Sequence, residues 1–136
     1  MPRVSAWFVR ASLCHLVVGF TVGALLLADK GAPFAPALSV LRPAHVEVLL
    51  MGWMVQLVMG VAVWIFPRFA LRRAPQRGAV TAWLAFVLLN AGVVCVALGQ
   101  GWGGWAAAGR LAEIGAAASF VAHLWGRVSP AGLSEI

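Results

Sequence analysis

The stretch from Arg42 to Arg68 constrains the fold of this chain more than any other. It reads RPAHVEVLLMGWMVQLVMGVAVWIFPR, and its central part is almost entirely apolar. At about 1.5 Å of rise per residue, about twenty apolar positions form a helix that crosses a hydrocarbon core of about 30 Å. The stretch therefore predicts a transmembrane helix.

The same stretch gathers its polar groups and glycines on one narrow face. A helix turns by about 100° per residue, and this places the following residues in line: His45, Leu49, Gly52, Gln56, Gly60, Val63 and Pro67. Glycine lets another helix or a flat ligand approach the backbone closely. Glu47 lies roughly opposite, near enough to the start of the helix that we expect it to reach the headgroup layer.

Composition extends this conclusion to the whole chain. Of its 136 residues, 62% are hydrophobic and only 10% are charged, and the mean hydropathy is +0.94. A soluble domain of this size would expose far too much apolar surface, so we expect an integral membrane protein in a lipid bilayer. The net charge of +6 does not indicate nucleic acid as a partner, because the basic residues flank the apolar runs and do not line one face.

Four spans are predicted, at about residues 8–28, 44–67, 78–99 and 105–126, within a single membrane domain covering 1–136. The links are short and rich in proline or glycine. This pattern predicts an all-α bundle of four transmembrane helices with up-down-up-down topology. Seven basic residues then lie on the side of both termini and three on the other side, which predicts cytoplasmic termini.

The first apolar run has a second interpretation. Arg3 and Arg10 could form the basic region of a signal peptide, with a cleavage site among the small residues near Ala35, so that residues 1–35 would be partly removed. The two cysteines, Cys14 and Cys95, lie in apolar surroundings, which favours buried small hydrophobes over a disulfide framework.

Three histidines are the main candidates for chemistry, because ionisable groups inside a bilayer are costly and often functional. His15 lies five residues in from Arg10, and His123 lies four residues before Arg127. The two imidazoles are therefore expected at similar depth on neighbouring first and fourth helices. This arrangement suits a haem with two histidine ligands. The alternative is that each imidazole makes an interhelical hydrogen bond or lies at the membrane interface.

His45 is expected at the opposite end of the bundle, where no second histidine of the same chain shares its depth. A six-coordinate haem at His45 would need a second protomer, another subunit or a different ligand. Arg110 at this end could bind a haem propionate, or it could join Glu113 and Glu47 in a structural network. Gln56 and Asn90 are interpreted mainly as interhelical hydrogen-bond partners.

The opening of the second span resembles a known family. Arg42-Pro43-Ala44-His45, followed by Gly52-Trp53 and closed by Pro67-Arg68, is similar to the second helix of the catalytic subunit of C-type haem–copper oxidases. Most of the chain resembles short four-span bacterial proteins similar to oxidase subunit I. The resemblance implies that His45 is an axial ligand of a low-spin haem. It does not imply a complete oxidase, because three histidines cannot supply the copper ligands of an oxygen-reducing centre.

These observations predict a bacterial inner-membrane protein that binds haem b and transfers electrons or senses a gas or redox signal. It would act as a homo-oligomer or beside a respiratory complex. His45 is the first candidate ligand, and His123 and His15 form the alternative site. A second hypothesis is a cofactor-free accessory or assembly subunit of a respiratory complex. A third is a quinone or small-solute site on the face formed by Gln56 and Gly60. No catalytic set of side chains indicates an enzyme acting on its own.

Overall fold

The computed structural model describes residues 1–69, 77–101 and 103–125, and within these ranges the chain forms four helical rods and no strand. Helix α1 covers Arg3–Gly31. A second rod follows, made of a 3-10 turn at Pro36–Leu41, helix α2 at Arg42–Glu47, a π-helical segment at Val48–Val55 and helix α3 at Gln56–Phe69. Helix α4 covers Arg77–Leu98, and helix α5 covers Gly103–Trp125.

Three of these rods are long and apolar enough to cross a membrane: Arg3–Gly31, Ala37–Phe66 and Val80–Leu98. Many large apolar side chains on them are open to the surroundings, for example Leu27, which is 71% exposed, and Leu98, which is 80% exposed. Apolar surface on this scale fits a lipid environment. Helix α5 occupies the position of the predicted fourth span, but its alanine-rich sequence is less apolar, so its crossing of the membrane stays a prediction.

Helix α1 and the second rod pack closely along their glycines. A Cβ atom added at each of four glycines would meet a side chain of the facing rod within 3 Å. The pairs are Gly19 with Leu49, Gly23 with His45, Gly52 with His15, and Gly60 with Phe8. Residue numbers rise on one rod as they fall on the other, so the two rods are antiparallel. The glycine face of the second rod therefore receives a helix, as small residues in membrane proteins commonly do.

Helices α4 and α5 form a second antiparallel pair with direct backbone contact. A Cβ atom at Gly92 would lie 2.9 Å from the carbonyl oxygen of Gly109, and one at Gly109 would lie 2.9 Å from that of Gly92. Close to the turn between the helices, Gly99 faces Trp105 in the same way. These glycines explain why a helix with few large side chains can still pack tightly.

The core lies where the two antiparallel pairs meet. The buried cluster is formed by Val4, Phe8, Met59, Val63, Ala82, Ala85, Leu89, Val93 and Ala116. Phe8 of α1 meets Phe86 of α4 edge to face, with ring centroids 5.2 Å apart. The second rod packs on α4, and α5 also packs mainly on α4.

The first and last helices are not the neighbours that a simple up-down bundle would make them. Within the described ranges, α1 packs on the second rod and on α4, whereas α5 packs on α4 and also contacts α3, and α1 and α5 form no packing interface. Each of these two helices has its glycine-lined contact with the helix adjacent to it in the chain. This layout changes which histidines can meet.

Candidate functional site

His45 is held against α1 by its ring and by a hydrogen bond. Its Nδ1 atom lies 2.9 Å from the carbonyl oxygen of Gly19, and its Cε1 atom lies over Gly23. A carbonyl oxygen can only accept, so the shared hydrogen belongs to Nδ1. In the neutral ring Nε2 is then the acceptor. Metal-bound histidines commonly have this arrangement, in which the second nitrogen donates to a carbonyl group and fixes the ring.

His15 faces the second rod from α1. Its ring carbons lie against Gly52, where an added Cβ would come within 2.8 Å of Cγ. Its Nδ1 atom is buried and has no hydrogen-bond partner among the described residues. The ring packs in the notch that Gly52 leaves, with the Gln56 side chain and the backbone of Ala11 as polar neighbours.

Both His15 and His45 line one apolar cleft of about 290 Å³ between α1, the second rod and α4. Its other walls include Val18, Val22, Val48 and Val94. This volume lies just below the range for ligand pockets, which begins at about 300 Å³. The cleft was not predicted from the sequence. The residues that could have indicated it are Gly19 and Gly23 on α1, which make room for side chains of the second rod.

The two rings lie at different heights in this cleft. His45 packs on Gly23 of α1. His15 packs on Gly52, which lies seven residues after His45 on the second rod. Seven residues correspond to about 10 Å along a helix. Because the two imidazoles differ this much in height, His15 and His45 would not hold the same haem iron between them.

The expected pair of His15 and His123 is not brought together either. His123 is buried on α5, and its Nδ1 atom lies 3.1 Å from the Oγ1 atom of Thr81 on α4. His15 faces the second rod, and α1 and α5 form no interface in the described part of the chain. The expectation of a two-histidine site on neighbouring first and fourth helices therefore fails because those helices are not neighbours.

A charged cluster joins the second rod to α5. One guanidinium of Arg110 contacts two carboxylates, with Nη2 at 2.7 Å from Glu47 Oε2 and Nη1 at 2.8 Å from Glu113 Oε2. Glu47 was expected to reach the headgroups, but it is only 5% exposed, because Arg110 and the packing of α2 hold it inside. Arg110 thus ties together the two elements, and both of its terminal nitrogens are occupied by glutamates.

Gln56 and Asn90 form a polar contact between the second rod and α4. The Nε2 atom of Gln56 donates to Oδ1 of Asn90 at 3.3 Å, and Asn90 in turn donates from Nδ2 to the backbone oxygen of Phe86. Gln56 is fully buried, and Gly60 on the same face is covered by Phe8. This face therefore offers no opening for the quinone or small solute considered above.

The Gln56 contact lies directly after the π-helical segment Val48–Val55. A π-helix is rare and is found frequently at functional sites, because it interrupts the regular i to i+4 hydrogen bonds. Here it spans the part of the second rod between the level of His45 and that of Gln56.

Comparison of the chain with protein families, with characterised proteins and with solved structures gives no match. None of these comparisons links the chain to oxidase subunit I, so that resemblance stays an expectation from the sequence.

Proposed function

We propose that this chain is a membrane-embedded haem b protein in which His45 would hold the haem. The observation that carries the proposal is the hydrogen bond from His45 Nδ1 to the Gly19 carbonyl oxygen, 2.9 Å long, at the wall of an apolar cleft. It leaves Nε2 as the lone-pair nitrogen of a ring that is already oriented. A bound haem would supply one-electron chemistry or diatomic-ligand binding.

The residues of the chain fit one histidine ligand per protomer. Any second ligand to the haem would come from a second copy of the chain or from a respiratory subunit. Arg110 contacts two glutamates but keeps further N–H donors and is half exposed, so a haem propionate would share this guanidinium with Glu47 and Glu113. The non-covalent b type follows from the sequence, which lacks the CxxCH motif that attaches haem covalently.

The proposal includes the placement of the chain in the membrane. With α5 as a fourth span, the antiparallel contacts give an up-down-up-down order. The excess of basic residues on the side that holds both termini, including those in the connection after the second span, then supports cytoplasmic termini in a bacterium.

A reduced-minus-oxidised spectrum of the detergent-purified protein tests the proposal, with the protein produced in a host supplied with haem. We expect a Soret band in the wild type and in the His123→Ala variant, and its loss in His45→Ala with retained helical circular dichroism. His123 is a suitable control because it is buried in a different helix pair. A wild type without a Soret band, or a band unchanged in His45→Ala, contradicts the proposal.

A specific observation also favours the second hypothesis, a cofactor-free accessory subunit. Each of the four glycine notches between α1 and the second rod is filled by a side chain, including that of His45 itself. Under this hypothesis His45 only joins two helices. Co-purification with respiratory subunits in the absence of any chromophore supports it, and a Soret band that depends on His45 excludes it.

A further inference from the structure

The cluster of Glu47, Arg110 and Glu113 has more negative than positive charge. One guanidinium bridges two carboxylates, each through a separate nitrogen. If both glutamates were ionised, the cluster would carry a net charge of −1. The cost of an uncompensated charge rises steeply with burial, and two carboxylates at one site resist ionising together.

Both carboxylates are buried to a degree that makes this cost important. The side chain of Glu47 is 6% exposed and that of Glu113 is 5% exposed, whereas that of Arg110 is 54% exposed. Glu113 reaches this position because α4 has a glycine beside it. A Cβ atom at Gly92 would lie 2.7 Å from Glu113 Cγ. The carboxyl group is thus enclosed by α4, α5 and the second rod.

Each carboxylate also has one oxygen left over. Oε2 of each glutamate binds Arg110, but the Oε1 atoms of Glu47 and Glu113 are both buried and have no partner among the described residues. Both carboxylates contact the same guanidinium, Glu47 through Nη2 and Glu113 through Nη1, so the two carboxyl groups lie side by side. Two ionised carboxylates are acceptors only, so they cannot pair without a hydrogen between them.

A single proton resolves the charge and the unpaired oxygens together. We propose that Glu113 is a neutral carboxylic acid in the folded protein and donates a hydrogen bond to the ionised Glu47, so that the cluster is a proton-binding site inside the membrane domain. The cluster is then neutral, with one guanidinium, one carboxylate and one carboxyl group. The proton exchanges with the surroundings on the side of the cluster where Arg110 is half exposed.

This site is separate from the proposed haem ligand. The Nδ1 atom of His45 is turned towards Gly19 on α1, whereas Glu47 pairs with Arg110 on α5. The groups facing Glu113 are Glu47 from α2, Arg110 from its own helix and the uncharged Gly92 from α4. The proton site therefore stands whether or not the chain binds haem.

Infrared difference spectroscopy between H₂O and D₂O at neutral pH tests the proposal on the full chain in lipid vesicles. We expect one carboxylic acid C=O band per protein, which moves to lower wavenumber in D₂O. Uniform ¹³C labelling of glutamate should shift this band, and ¹³C labelling of aspartate should not. This part of the test needs no variant, so it does not depend on the folding of a mutant.

Three substitutions assign the band. Glu113→Gln is expected to abolish it while the thermal midpoint stays near that of the wild type, because the amide replaces a neutral carboxyl group of the same shape. Glu47→Gln is also expected to abolish it, because Glu113 then ionises and pairs alone with Arg110. Glu135→Gln, at the third glutamate of the chain, should leave it unchanged. A wild type with no such band, or a band that survives Glu113→Gln, overturns the proposal.

Discussion

The Nδ1 atom of His45 lies 2.9 Å from the carbonyl oxygen of Gly19, and the same imidazole covers Gly23 one turn further along α1. One side chain therefore both joins two membrane helices and fixes the direction of its own second nitrogen. This double role explains why a costly polar group can be kept in an apolar cleft. It also makes the two functional hypotheses depend on the same contact, which can be disturbed from the opposite helix.

The first prediction disturbs this contact without touching the histidine. In Gly23→Ala the new Cβ would lie 2.6 Å from His45 Cε1, so the ring must move away from Gly19. Alanine alone stabilises a helix interior by about 1 kcal/mol over glycine. Overpacking costs about 1–3 kcal/mol, and we expect it to dominate, so the thermal midpoint in detergent should fall. If His45 binds haem, the Soret band per protein should fall as well.

The matched control for this prediction is Gly31→Ala. Gly31 ends the same helix, and an added Cβ there would meet no atom within 4 Å. We expect its thermal midpoint and any haem band to equal or slightly exceed those of the wild type. Equal midpoints for Gly23→Ala and Gly31→Ala would show that His45 is not packed on Gly23.

The positions of the helices were largely predictable from the sequence, because apolar run length alone decides where a chain can cross a bilayer. The predicted spans at about 8–28, 44–67 and 78–99 correspond to the three apolar rods of the structure. The pairing of the helices was not predictable in the same way. It depends on which side chain enters which glycine notch, and hydropathy carries no information about that choice.

The candidate site was also predictable only in part. A straight α-helix placed Glu47 on the side opposite to His45, and the structure packs His45 against α1 and pairs Glu47 with Arg110 on α5. The predicted position of Glu47 at the headgroup layer was wrong. A count of residues from the helix end cannot reveal that Arg110 approaches from another helix. The π-helical segment was also missed, since Val48–Val55 is an ordinary apolar run in the sequence.

The second prediction concerns two fully buried serines on α1. Ser5 Oγ donates to the backbone oxygen of Gly60 on the second rod at 2.6 Å, whereas Ser12 Oγ donates to Val9 of its own helix at 2.8 Å. Ser5→Ala removes a contact between helices and should cost about 1 kcal/mol of stability. Ser12→Ala removes only a local bond and should cost less. Thermal unfolding in detergent measures both, and a larger loss for Ser12→Ala would contradict this assignment.

The third prediction measures the coupling between Gln56 and Asn90. Their hydrogen bond is 3.3 Å long and joins the second rod to α4. We expect a double-mutant cycle with Gln56→Leu and Asn90→Leu to give a coupling energy of about 0.6 kcal/mol, the average for such contacts in a membrane. Gln100, in the turn after α4, donates back to the Val96 oxygen of α4, so Gln100→Leu paired with Asn90→Leu should show no coupling. A cycle with equal coupling in both pairs would show that the Gln56 contact has no specific role.

The fourth prediction tests the backbone contact that holds α5 in place. In Gly109→Ala the new Cβ would lie 2.6 Å from Val96 Cγ2 and 2.9 Å from the Gly92 oxygen. Backbone atoms cannot yield as a flexible side chain can, so α5 must move away from α4. We expect a loss of about 1–3 kcal/mol, which exceeds the gain of about 1 kcal/mol in helix propensity.

This movement should also reach the charged cluster, because Arg110 follows Gly109 directly and binds Glu47 on another helix. Gly104→Ala is the control, since an added Cβ in the first turn of α5 would meet no atom within 4 Å. We expect Gly109→Ala to lower the thermal midpoint and to alter the carboxyl C=O band, and Gly104→Ala to change neither. If Gly109→Ala lowers the midpoint but leaves the band unchanged, then the carboxyl group giving that band does not depend on how α5 sits against α4, and its assignment to Glu113 is wrong.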